Sequence, residues 1–200
     1  MPDRRESLIK PESGPVLARN RSDIFVDHPY DYEIPGLCLM GRMTIPGICG
    51  EEIVRRVVHR NADSLFGIFR KSTATKREER TLLGFYANLM LNQSGVAALQ
   101  AGTFNARNPP DELMVPYGER PAAIYSWAVM APGLFDLTVK MLAFRMGDLY
   151  ADLPILAYAA TEDGKRTVNR RGFTLDAETG LSRYEKSQDA KRSFVRKFKS

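Results

Sequence analysis

Residues 153–175 read LPILAYAATEDGKRTVNRRGFTL, and this block decides the fold. Leu153–Thr161 has the length and composition of a buried strand, Glu162–Arg171 is polar and helical in character, and Gly172–Leu175 opens another strand. A strand, a helix and a strand in such close succession are the unit from which α/β folds are built.

Upstream, Gly133–Met146 repeats Leu134, Leu137, Met141 and Phe144 at helical spacing, and Ala122–Pro132 reads as a buried strand, with Pro132 and Gly133 at the corner. Asn105–Pro121 is rich in Pro and turn formers and reads as an irregular insertion, after a short helix within Ser94–Phe104. LFGIFRKS (65–72) and LLGFYANLML (82–91) are β-rich runs joined by TATKREER, so they are expected to pair antiparallel. Glu51–Phe66 places Ile53, Val54, Val57 and Val58 on one helical face. Leu37–Ile45 (LCLMGRMTI) reads as the first strand, stopped by Pro46 and Gly47. The expected class is α/β, with a mixed, mostly antiparallel central sheet flanked by helices and a long insertion between the third and fourth strands. Residues 1–36 read as an extended arm, 37–180 as the domain, and 181–200 as a basic tail or helix.

Composition limits the function classes. The chain has 200 residues, 44% hydrophobic and 26% charged, which excludes disordered, collagen-like and membrane-embedded classes. Its longest apolar stretch, Leu134–Met146, is interrupted by Asp136, Lys140 and Arg145, so no transmembrane segment is expected. The opening MPDRRESLIKPESGP lacks an apolar secretory core, and the two cysteines, Cys38 and Cys49, are too far apart for a CxxC pair, so a cytoplasmic protein is expected. A net charge of +5 favours anionic partners.

Alternation puts Tyr86, Asn88 and Met90 on one face of the third strand; Tyr125, Trp127 and Val129 share a face of the fourth, opposite Ile124, Ser126 and Ala128. Asn88 has two readings, a hydrogen bond to an acceptor substrate or an ordinary strand residue. Trp127 likewise either lines a pocket or fills the core. His28 and His59 stand far apart, so neither a metal site nor a Ser-His-Asp triad is expected; Asp27, Asp31 and Glu33 around His28 read as turn formers in a solvated loop. Glu119 and Asp136 are the carboxylates nearest the presumed cleft, and neither carries a catalytic assignment. The tail, with Lys191, Arg192, Arg196, Lys197 and Lys199, has no motif for sequence-specific nucleic-acid recognition.

The element order, and above all the span from Thr161 to Gly172 and Phe173, resembles the GNAT superfamily of acyl-CoA-dependent N-acyltransferases. The resemblance implies an acetyl-CoA or longer acyl-CoA donor, or an acyl carrier protein thioester, and a small-molecule or protein amine as acceptor; a homodimer is compatible with it. It places the donor on Val129, Met130, Ala131, Gly133, Leu134, Phe135 and Thr161, in a gap where the fourth and fifth strands splay. The acceptor would lie on Tyr86, Asn88, Tyr125 and Trp127. A strand-four amide around Val129–Ala131 would polarise the thioester carbonyl.

The chain departs from the family in three places. Thr161 stands where Asn is usual, Val168 stands where a Tyr often protonates the leaving thiolate, and Val129–Phe135 keeps one Gly of the usual pyrophosphate loop. Two readings follow: an acyltransferase that grips its donor mainly by the pantetheine and acyl parts, or a non-catalytic module that binds an acidic protein or nucleic acid through its tail and the Asn105–Pro121 insertion.

Overall fold

The computed structural model describes residues 23–45, 47–71 and 80–185. The TATKREER link up to residue 79, most of the N-terminal arm and the tail from residue 186 lie outside the described residues. Within them the fold is α/β: an open seven-stranded sheet in the order β1-β2-β3-β4-β5-β7-β6, antiparallel except between β4 and β5.

The chain enters through β1 (Ile24–Asp27) and passes to α1 (Ile34–Thr44), α2 (Glu51–Arg60), β2 (Leu65–Lys71) and β3 (Arg80–Leu91). It continues through α3 (Gln93–Gln100), β4 (Ala123–Met130), α4 (Phe135–Met146), β5 (Ile155–Ala157), α5 (Glu162–Arg170), β6 (Thr174–Leu175) and β7 (Ser182–Tyr184). Because β4 and β5 run parallel, the connection between them must cross over the sheet, and α4 is that crossover.

Both faces of the sheet are covered. On one, Leu65, Phe85 and Ala87 pack against Ile34, Leu37 and Cys38 of α1, and Leu89, Leu91 and Tyr125 against Val57 of α2 and Leu99 of α3. On the other, Phe66, Ile68 and Tyr86 pack with Ile24 and Val26 of β1 against Leu134 and Leu142. Period-two alternation along β2 and β3 delivers each residue to its core.

Four expectations are corrected. Leu37–Ile45 is not a strand: the run belongs to α1, whose buried residues Ile34, Leu37, Cys38 and Gly41 recur at i, i+3, i+4 and i+7. The helical period was masked because Leu39 and Met43, on the outer side, are also apolar and stay 57% and 81% exposed. The first 36 residues are not wholly an arm, since Ile24–Asp27 pairs with Gly67–Arg70 as β1. Residues 182–184 are neither tail nor helix but strand β7, seated between β5 and β6, with Ser182 opposite both Ala157 and Leu175.

The fourth correction lies in β4. Ala87 pairs with Ala128 but Asn88 pairs with Ser126, so one residue of β4, Trp127, is extra. This bulge reverses the alternation, and Val129 joins the α4 core while Trp127 and Ala128 pack towards α1.

Candidate functional site

β4 and β5 pair at three positions only, Ile124 with Ile155, Tyr125 with Leu156 and Ser126 with Ala157. Beyond them β4 continues to Met130 while the other chain leaves the sheet at Tyr158 and turns into α5. From Trp127 to Met130 the β5-side edge of β4 therefore has no strand partner among the described residues. The bulge at Trp127, which lies in the ladder with β3, falls at the residue where this unpaired edge begins.

On the α1 face of the sheet an apolar space shares Trp127 and Ala128 with this edge. A cavity of about 20 Å³ lies against the bulge, lined by Cys38, Cys49, Phe85, Ala87, Trp127 and Ala128 among others. That space is sufficient for about one water-sized or methyl-sized group. Both cysteines are buried free thiols, and burial pushes the Cys49 thiol up to about 11, so it is protonated and unreactive at neutral pH.

The expected donor residues divide into two sets. Val129, Met130 and Ala131 form the open end of β4, and Gly133, at φ +66°, turns the chain into α4, a conformation glycine takes without strain. Leu134 is buried and Phe135 packs beside it in the α4 core, so neither stands over the turn. The amides of Phe135 and Asp136 belong to the first turn of α4, where no intrahelical acceptor exists. Thr161 has a different occupation: its hydroxyl caps α5 by accepting the Gly164 amide at 3.0 Å. Thr161→Ala is expected to cost about 1 kcal/mol. Thermal melting should show a drop of about 3 °C in Tm, with the sheet intact.

The four expected acceptor residues do not share a cleft. Tyr86 lies in the α4 core, where its hydroxyl meets that of Thr138 at 2.7 Å and burial pushes its pKa up to about 12. Asn88 follows it on that face, 4% exposed, and its Nδ2 has no partner among the described residues. Tyr125 and Trp127 are on the opposite face, and Trp127 donates from Nε1 to the Ala106 carbonyl at 2.7 Å, which ties the insertion to the sheet. Of the four, only Trp127 borders the gap and its cavity.

Two features were not read from the sequence. Arg171, just past α5, stacks over the Phe135 ring at 5.2 Å and pairs with Asp136, bringing a guanidinium to the start of α4. The loop itself lacks a cation, and Arg171 reaches it from a segment 36 positions beyond Phe135, so only the fold reveals the contact.

The second feature is an Asp–His–Tyr cluster. Asp63 accepts from His28 Nε2 at 3.0 Å with one carboxylate oxygen and from the Tyr150 hydroxyl at 2.6 Å with the other. His28 stacks on Phe66 at 4.5 Å, and Arg80 holds its turn by donating to the His28 carbonyl and the Glu33 carboxylate. Asp27 and Glu33 are thus ion-pair partners of arginines rather than free turn acids. Burial alone would push the Asp63 carboxyl up, but the hydrogen bonds from His28 and Tyr150 outweigh it and hold it below the usual range. A depressed folded pKa stabilises the fold above the unfolded value of about 4, and that contribution is lost as pH falls through the folded value. Asp63→Asn is expected to destabilise the protein at neutral pH by about 1–3 kcal/mol and to flatten the loss of stability below about pH 4, as read by urea denaturation across pH.

Among the described residues no group of three or more His, Cys, Asp or Glu could hold a metal ion, and no helix is long and apolar enough to cross a membrane. Comparison with models of known protein families and with curated proteins finds no match to this chain.

Proposed function

We propose that the chain is a GNAT-like acyltransferase that takes a short acyl group from a CoA thioester and passes it to an amine. The observation that carries this reading is the parallel β4–β5 pair, which parts after three residue pairs and leaves β4 unpaired on that side from Trp127 to Met130.

The chain's own groups supply the chemistry as follows. The edge amides of Trp127–Met130 donate along an extended pantetheine arm, as a strand edge donates to any added strand. An amide of the unpaired β4 edge beside the bulge points its dipole at the thioester carbonyl and stabilises the oxyanion that forms on attack. The acyl methyl occupies the space beside Phe85, Ala87 and Ala128. The first turn of α4, with Arg171 beside it, faces the diphosphate with positive charge, which offsets the missing glycines of the loop.

The neutral amine attacks the carbonyl carbon, the C–S bond breaks, the thiolate leaves with a proton from water, and the amine gives its proton to water. No side chain is needed as a covalent carrier. Calorimetric titration of the full chain with acetyl-CoA, hexanoyl-CoA and acyl carrier protein tests the reading. Acetyl-CoA should bind more tightly than hexanoyl-CoA, and Arg171→Ala should weaken it about tenfold. Absence of binding by all three donors would remove the proposal.

A further inference from the structure

A pocket of about 320 Å³ lies at the far end of α4 from the β4–β5 gap. α4 begins shortly after the open end of β4 and Met146, its last residue, lines the pocket, so roughly 17 Å of helix separates the two. Its wall joins four stretches distant in sequence: His28 after β1, Asp63 before β2, Tyr117 in the insertion, and Arg145 to Tyr150 at the end of α4.

The hydrogen-bond network fixes what this wall offers. An ionised carboxylate only accepts, so with Tyr150 donating to one oxygen of Asp63 the other must receive Nε2–H from His28. In the neutral ring this sets the tautomer and leaves Nδ1 as a lone-pair acceptor. Nδ1 has no partner among the described residues, and the His28 side chain is 41% exposed. Arg145 donates to Asp27, and its other N–H groups meet no acceptor among the described residues. Asp27 is also held by Arg80 at 3.6 Å, so both nearby carboxylates are occupied. Met146 and Leu149 provide the apolar side.

An occupant that satisfies this wall carries a proton donor for His28, an anion for Arg145 and an apolar surface for Met146 and Leu149. A neutral hydroxyl serves as the donor to Nδ1 without adding charge beside the Arg145–Asp27 pair. A rigid ring loses little conformational freedom on binding.

We propose that this pocket is a second binding site, independent of the β4–β5 gap, for a small hydroxy-substituted aromatic carboxylate. The hydroxyl donates to His28 Nδ1, the carboxylate accepts from Arg145, and the ring rests on Met146 and Leu149. Asp63 is a positioning residue that chooses the His28 tautomer.

The test is calorimetric titration of the full chain with 4-hydroxybenzoate, benzoate and inorganic phosphate. 4-Hydroxybenzoate should bind roughly fivefold more tightly than benzoate, with phosphate giving no heat. Arg145→Gln should weaken both aromatic acids about tenfold. His28→Phe, which keeps a ring on Phe66 but carries no acceptor, should erase the hydroxyl preference, and thermal melting confirms that each variant is folded. No binding of 4-hydroxybenzoate at millimolar concentration, equal binding of phosphate, or a hydroxyl preference that survives in folded His28→Phe would each overturn the proposal.

Discussion

Gly84→Ala should destabilise the protein by about 3 kcal/mol, lowering Tm by roughly 6–12 °C, and should weaken donor binding in the fraction that remains folded. A methyl group on Gly84 would sit 2.1 Å from the Met130 carbonyl oxygen, far inside contact distance, and 3.2 Å from Ile68 Cδ1. The near obstacle is backbone, so no rotamer change relieves it. Either β3 or the end of β4 must move. Val129 and Met130 pair with Tyr86 and Phe85 at this point, so the displacement strains the last rungs of the ladder that holds the free edge of β4 in place. The loss of donor affinity should therefore exceed that of Leu83→Ala, a neighbouring change on the same strand that leaves the β3–β4 approach untouched. Differential scanning fluorimetry reads the first effect and calorimetry with acetyl-CoA the second. A fully stable Gly84→Ala protein would show that β4 does not pass this close.

Phe66→Ala should cost about 3–5 kcal/mol and lower Tm by about 10 °C or more. Phe66 is fully buried, at 0% exposure, in the core between the sheet, β1 and α4. Its removal leaves a cavity whose lining loses contacts on one side, and two neighbouring strands restrict how far it can collapse. The ring is also the surface on which His28 lies, at 4.5 Å. Phe66→Leu keeps most of the volume and is expected to cost about 1–1.5 kcal/mol. The two variants together separate packing from ring stacking, since both lose the stack on His28 but only the first opens the cavity. Urea denaturation followed by circular dichroism gives both values.

The segments that were legible are those in which one physical signal dominates. The β2–β3 pair shows in two β-rich runs with a polar link, and antiparallel pairing from Leu65↔Ala87 to Lys71↔Arg80 follows. α2 and α5 concentrate their charges on one side, and the α4 spacing delivers Leu134, Leu137 and Met141 to one core, while Phe144, the fourth residue of that spacing, stays 68% exposed. β1 and β7 were not legible because four and three residues are too short for any period to register. β7 also hides in a basic stretch, and its pairing depends on a space between β5 and β6 that exists only in the assembled sheet.

The site was less legible than the fold, for a related reason. One extra residue in β4 exchanges the faces of all that follow it, and nothing in AIYSWAVM marks Trp127 as that residue. The links of His28 to Asp63 and of Asp63 to Tyr150 span 35 and 87 positions, so these residues look unrelated along the chain. Composition indicated a basic surface, but it did not show that Arg80, Arg145 and Arg171 are each paired with a carboxylate.

The most direct test is amide NMR of uniformly 15N-labelled protein titrated with acetyl-CoA. The account predicts that the largest chemical-shift changes fall on Trp127–Met130, Tyr158 and the first turn of α4, with the shift at the bulge absent when desulfo-CoA, which has no thioester carbonyl, replaces the donor. Saturating acetyl-CoA that leaves Trp127–Met130 unmoved would contradict it.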